Sequence, residues 1–182
     1  VTHMSCAPVV KPVPPVAGVP TLDVLRQNDP LRDELNAAMA EVCQSGAFVH
    51  GPAVARFEAS MANYCGVKHA VGCASGSDAL LLALMVLGVG PGDEVILPSF
   101  TFFATAGAVW RLGAKPVFVD ILPETFNLDP ADVLYKLTTA TKAIMPVHLF
   151  GQCAQMDDIQ QIAKAARGVP IIEDAAQAIG AE

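Results

Sequence analysis

Basic side chains are scarce in this sequence. Eleven Lys and Arg stand against 18 Asp and Glu, for a formal net charge of −7 and a pI near 4.9. Nucleic-acid backbones are gripped by clustered Lys and Arg, so a nucleic-acid partner is excluded. A small anionic ligand is not excluded, because the free N–H groups of a helix start hold a phosphate without net positive charge. Long apolar runs are also missing: the longest, Leu80 to Val89, is about half of the roughly 20 residues that cross a bilayer, so no membrane segment is expected. The cysteines, Cys6, Cys43, Cys65, Cys73 and Cys153, are odd in number and contain no CxxC pair. That speaks against a disulfide framework and for reduced thiols in a cytoplasmic protein. His3, His50, His69 and His148 are scattered, and none makes a metal-ligand spacing with a cysteine. Neither a Walker A loop nor GxGxxG is present, so the ordinary ATP and dinucleotide fingerprints are absent.

Apolar residues, by contrast, are plentiful. At 53% they exceed the usual ~45–50%, which is ample for a core. The 182 residues fit one domain or a part of something larger. Residues 1–20 carry Pro8, Pro12, Pro14, Pro15 and Pro20 with little periodicity, and read as an extended, disordered leader and not as a secretory signal. Asp29-Pro30 reads as an N-cap and first helical position. Leu31, Leu35, Ala38, Met39 and Val42 then form one apolar face, and Gly46 stands where a C-terminal glycine belongs. A second helix starts at Pro52, carries Val54, Phe57, Met61 and Tyr64 on one side, and stops at Gly66.

From there the rhythm changes. Short apolar runs at 69–73, 94–97, 116–119, 143–147 and 169–172 predict strands. Helical stretches at 77–87, 101–112, 130–137 and 156–167 lie between them. The strands are apolar on both faces, as a parallel sheet covered by helices on both sides requires. The alternation predicts a doubly wound α/β domain.

Four segments that follow strands could carry chemistry. Ala74-Ser75-Gly76-Ser77-Asp78 opens an apolar helix. Gly76 permits close backbone approach, the first turn offers free N–H groups and Ser77 adds a hydroxyl, which together suit a phosphate. The same residues also make an ordinary N-cap with an acid in the first turn. Asp174 ends the apolar Val169-Pro170-Ile171-Ile172 run at the edge where such sheets hold ligands. A carboxylate there pairs with a cationic ring nitrogen, or it caps a helix. Glu173 should point the opposite way. Phe100, Phe102 and Phe103 could stack on a flat ring or simply pack in the core. His148 could bind a ligand or be a satisfied structural histidine. What favours a ligand is joint placement: phosphate cup, aromatic plate and carboxylate all fall just after strands of one sheet, as an aromatic phosphate would need.

These segments, in this order, resemble the DegT/DnrJ/EryC1/StrS family of pyridoxal-phosphate-dependent nucleotide-sugar aminotransferases. The resemblance runs from about Leu22 onward. It includes Ser45-Gly46-Ala47-Phe48-Val49-His50-Gly51-Pro52, Gly90-Pro91-Gly92-Asp93-Glu94-Val95-Ile96, Pro98-Ser99-Phe100-Thr101-Phe102, Pro146-Val147-His148-Leu149-Phe150-Gly151 and Ile172-Glu173-Asp174-Ala175-Ala176-Gln177. The resemblance implies an aspartate-aminotransferase-like fold, with residues 21–182 as the N-terminal part of the cofactor-binding large domain. It implies pyridoxal 5′-phosphate as cofactor, an amino-acid donor, a nucleotide-linked keto-sugar acceptor, a role in amino-sugar biosynthesis and a homodimer. Gly76, Ser77 and Asp78 match the phosphate loop. Phe102 matches the aromatic that stacks on the ring, Asp174 the partner of the ring nitrogen and Gln177 the side chain near the phenolic oxygen. His148 matches a recurrent position at the edge of the site.

One feature departs from the pattern. The family's Schiff-base lysine lies beyond the Asp-Ala-Ala-Gln segment, and Lys11, Lys68, Lys115, Lys136, Lys142 and Lys164 all stand in other contexts. The 182-residue chain is therefore expected to be a fragment that does not transaminate alone. The alternatives are a sugar dehydratase of the same fold with histidine in place of the lysine, a non-catalytic domain of that fold, and a nicotinamide-binding α/β enzyme.

Overall fold

A computed structural model describes Gly18 and residues 22–181. The Pro-rich leader expected over 1–20 lies, but for Gly18, outside the described residues. The chain divides into two compact units, Val1–Ala53 and Val54–Glu182.

In the first unit the helices begin earlier than the sequence suggests. Asp23 caps α1 (Val24–Asn28), its Oδ1 accepting from the Arg26 N–H at 3.0 Å. Asp29 is therefore not an N-cap. It opens a 3-10 turn, Asp29–Leu31, and its carboxylate pairs with Arg32. The helix α2 (Arg32–Ser45) ends at Gly46 in the left-handed conformation, φ 66°, where a side chain would be strained. The expected apolar face of α2 forms, but Leu35 and Met39 on it remain exposed.

The second unit is the α/β body. Most of α3 (Pro52–Tyr64) belongs to it, followed by α4 (Gly76–Val86), β1 (Glu94–Pro98), α5 (Phe103–Arg111), β2 (Lys115–Val119), α6 (Pro130–Lys136), β3 (Thr141–Ile144) and α7 (Met156–Ala165). The three strands are parallel in the order β2-β1-β3. Side-chain alternation divides the core into two layers. Val95, Leu97, Ala143 and Met145 pack with Leu80 and Leu84 of α4 and Ala108 and Val109 of α5. Ile96, Val119 and Ile144 face the other way, onto Val133 of α6 and Ile159 and Ala163 of α7. Helices thus cover both faces, as the two-sided apolar strands require.

Two expected strands differ. Residues 69–73 form none. They are mostly exposed, and the Gly72 N–H donates to the Glu58 side chain at 2.7 Å instead of to a neighbouring strand. Residues 169–172 give only one parallel bridge, Ile144 to Ile171, and a second, Val147 to Asp174, follows just after them. Pro170 has no N–H to give, but its carbonyl accepts from Ile144, and Ile172, Asp174 and His148 continue the pattern with hydrogen bonds of 2.9–3.0 Å. This segment therefore runs beside β3 and its continuation as far as Asp174.

Candidate functional site

The strand order turns back at β1, with β2 on one side and β3 on the other, and ligands of such sheets sit past the carboxyl ends at that point. The sequence-predicted residues gather there in two groups.

The first group is the start of α4. Ser75 is its N-cap, in extended conformation, and its Oγ accepts from the Asp78 N–H at 3.2 Å. The same hydroxyl lies 3.1 Å from Asp78 Oδ2. Asp78 is thereby spent on the cap, and Arg111 approaches its other oxygen at 3.7 Å. Of the two readings of this segment, Ser75 performs the capping. The Ser77 hydroxyl and the N–H groups of Gly76 and Ser77, in the first turn where no intrahelical acceptor exists, remain to face a ligand. A Cβ at Gly76 would meet nothing within 4 Å, so the space above this turn is open. Ser77 shares a cleft of about 280 Å³ with Phe102, Phe103, Gly107 and Arg111.

The aromatic cluster divides. Phe102 precedes α5 as its N-cap residue and is 75% exposed, an uncovered ring at the mouth of that cleft. Phe100 instead packs on Phe126, with ring centroids 5.7 Å apart, and Phe126 meets Phe150 edge-on at 6.2 Å.

The second group surrounds Asp174, which is buried. Its backbone is held on both sides, donating to Pro146 O and accepting from His148 N. Oδ2 accepts from the Thr105 hydroxyl at 2.9 Å, and Oδ1 has a long 3.4 Å contact from the Ala176 N–H. No Lys, Arg or His among the described residues pairs with this carboxylate. A buried carboxylate without a cation is costly, so the site favours a positively charged partner.

Glu173 points the opposite way, as expected, and meets His148 Nε2 at 2.9 Å. The Ala154 N–H donates to His148 Nδ1 at 3.1 Å, which fixes the ring proton on Nε2 and directs it to Glu173. Both ring nitrogens are spent, so His148 is a structural histidine that holds the 148–154 turn. Gln177 is exposed and accepts the Phe150 N–H on Oε1 at 2.8 Å. That contact steadies Phe150 in its left-handed conformation, φ 56°, and leaves the amide N–H donors of Gln177 for another acceptor.

Two buried polar residues escaped the sequence reading. Thr105 is fully buried against Asp174, and Asn127 bridges Leu149 N and Gln152 O at 3.1 and 3.0 Å. A hydroxyl inside the apolar Ala-Thr-Ala-Gly-Ala-Val helix was the available signal for Thr105.

No helix among the described residues is long and apolar enough to cross a membrane, and no group of three or more His, Cys, Asp or Glu among them could hold a metal. Cys43, Cys65, Cys73 and Cys153 are free thiols, and Cys6 lies outside the described residues.

The family model described as the DegT/DnrJ/EryC1/StrS aminotransferase family matches residues 29–182. The chain is 55% identical over 164 residues, 90% of its length and 44% of the relative's, to a pleiotropic regulatory protein of Geobacillus stearothermophilus. It is 49% identical over 160 residues, 88% of its length and 44% of the relative's, to UDP-2-acetamido-2-deoxy-3-oxo-D-glucuronate aminotransferase of Pseudomonas aeruginosa. Among solved structures it superposes with a TM-score of 0.84 on NtdA of Bacillus subtilis with bound cofactor PMP, at 41% identity, covering 91% of this chain and 38% of that one. The chain spans less than half the length of the curated relatives it matches.

Proposed function

The chain belongs to the DegT/DnrJ/EryC1/StrS aminotransferase family, and from that membership we propose that the whole protein is a pyridoxal-phosphate-dependent aminotransferase. It transfers an amino group from an amino acid, which we assign as glutamate, to a nucleotide-linked keto-sugar in amino-sugar biosynthesis. The observation that carries this reading is Asp174: a buried carboxylate at the ligand edge of the sheet, without a cation among the described residues.

The residues fit the cofactor. Ser77 and the free amides of the α4 start would hold its phosphate, Phe102 would stack on its ring, Asp174 would pair with its ring nitrogen and the Gln177 amide would donate to its phenolic oxygen. Gly76 leaves the approach open, and Asp78 serves through the cap. When bound, the cofactor would supply an electron-accepting ring that stabilises negative charge at the carbon bearing the transferred amine. Asp174 keeps the ring nitrogen protonated, Phe102 sets the ring plane, and the α4 start fixes the phosphate end.

No described lysine suits the proton transfer. Lys115 and Lys142 stand at the amino ends of the strands, Lys136 pairs with Asp132, Lys164 lies in α7 and Lys68 is exposed. We therefore assign residues 21–182 to the N-terminal part of a larger cofactor-binding domain. The homodimer and the cytoplasmic location belong to the same proposal. Within the second unit, exposed Phe57 and Tyr64 on α3 support an apolar contact surface.

The test is amine transfer from glutamate to nucleotide-linked 3-keto and 4-keto sugars, followed by mass. The whole protein should turn over and the 182-residue chain alone should not. Asp174→Ala should lower turnover roughly a hundred- to a thousandfold. Unchanged turnover in that variant removes the assignment. A second reading, a regulatory protein on this fold, draws on the name of the Geobacillus relative. It predicts no transfer to any keto-sugar by the whole protein.

A further inference from the structure

The groups that touch Asp174 include one the proposed mechanism does not use. Thr105 sits in α5 with its side chain fully buried, in a helix otherwise built of apolar and small residues up to Trp110. Burying a hydroxyl is costly unless it is hydrogen-bonded. Here its Oγ1 lies 2.9 Å from Asp174 Oδ2 and 3.1 Å from the Oγ1 of Thr101, which stands just before the helix.

The direction of this chain follows from proton counting. A carboxylate only accepts, so the single Thr105 proton goes to Asp174. The proton in the Thr101–Thr105 contact must then belong to Thr101. Two hydroxyls thus line up toward one carboxylate oxygen, each polarising the next. The other oxygen, Oδ1, has only the 3.4 Å contact with the Ala176 N–H. The Asp174 backbone is fixed by Pro146 and His148, so the remaining freedom is rotation of the carboxyl group, and the Thr105 hydroxyl is the short contact that opposes it.

We propose that Thr105, backed by Thr101, is a positioning residue: it sets the rotation of the Asp174 carboxylate, and through it the grip on a cationic ring nitrogen. This rests on the reading of Asp174 as the partner of the cofactor's ring nitrogen. It differs from a plain structural tie between α5 and the strand end in one respect: its effect depends on that nitrogen.

The experiment titrates the whole protein with pyridoxamine 5′-phosphate, and with its 1-deaza analogue in which a C–H replaces the ring nitrogen. Ring fluorescence reports binding to the wild type, Thr105→Val, Thr105→Ser, Thr101→Val and Asp174→Ala. Loss of one hydrogen bond to a charged group should weaken pyridoxamine phosphate roughly tenfold in Thr105→Val, and leave the deaza analogue unchanged. Thr105→Ser should restore most of the difference, and Thr101→Val should show the same selectivity to a smaller degree. Equal losses for both ligands in Thr105→Val, while Asp174→Ala weakens pyridoxamine phosphate and not the deaza analogue, make Thr105 a structural tie and overturn the proposal alone. Equal effects of Asp174→Ala on both ligands, or no binding by the wild type, overturn the cofactor reading and this proposal with it. If Thr105→Val fails to fold, half-buried Thr101→Val decides: selective loss supports the proposal, and no selective loss overturns it.

Discussion

The two ends of the parallel sheet handle a carboxylate in opposite ways. At the amino ends, Glu94 opens β1 and accepts from Lys115 Nζ at 2.8 Å and from the Thr138 hydroxyl at 2.6 Å. Those bonds, Lys115 first and Thr138 second, hold its pKa below the ordinary 4.5. Its charge is balanced within the chain, and it ties β1 to β2 and to the turn before β3. At the carboxyl ends, Asp174 is more deeply buried yet has only a hydroxyl and a long N–H contact. A charge matched on the spot serves the fold. A buried charge left without a cation is a cost that a ligand can remove.

Paired substitutions test this contrast most strongly. Against the large loss expected for Asp174→Ala, Glu94→Gln should leave turnover of the whole protein within about twofold, since the exposed Lys115 pair is worth under about 1 kcal/mol. A comparable loss of turnover in both variants breaks the distinction between the two ends. The next effect is on the sheet that carries both. Ile96 is fully buried in the α6–α7 layer, and Ile96→Ala should lower the unfolding free energy by about 2–5 kcal/mol in a urea titration. A smaller loss would show that this layer is loosely packed.

The smallest effect is on acid stability. Asp132 is also held below its ordinary 3.8, by Lys136 first and the Asp120 N–H second. Lowered folded values mean that both groups contribute stability above their ordinary values, and that this is lost as pH falls through the lowered ones. The melting temperature followed by circular dichroism should therefore be flatter between roughly pH 5 and 7 than below that range. Glu94→Gln should remove part of the acid slope. An unchanged slope would show that the Glu94 bonds add nothing to stability.

The alternation of apolar runs and helices revealed the doubly wound body, because both signals are local and periodic. The order of turn glycines and strand-end residues was equally readable. What was not readable depends on distant partners. Residues 69–73 have a strand's composition, but no neighbouring strand receives them, and Glu58 binds their backbone instead. Helix α1 was missed because Asp23 lies outside the apolar period. Of the site, the positions of Phe102 and Asp174 could be read from the apolar runs that precede them, whereas the run before Ser77 forms no strand. The division of labour between Ser75 and Ser77 could not, nor could the partners of His148. Thr105 meets Asp174 across 69 positions, and nothing near Thr105 in the sequence marks that meeting.

Parity along residues 170–174 decides which acid goes where. Neighbouring side chains in an extended segment face opposite sides, so Asp174 faces Thr105 while Glu173 faces His148. The ladder beside β3 therefore works as an address. A slip of one residue would turn Asp174 to the other face and put the longer Glu173 side chain under Thr105. The hydrogen bonds of Ile172 to Ile144, and of Asp174 to Pro146, guard that address, so even distant loop changes that keep them leave the charge in place.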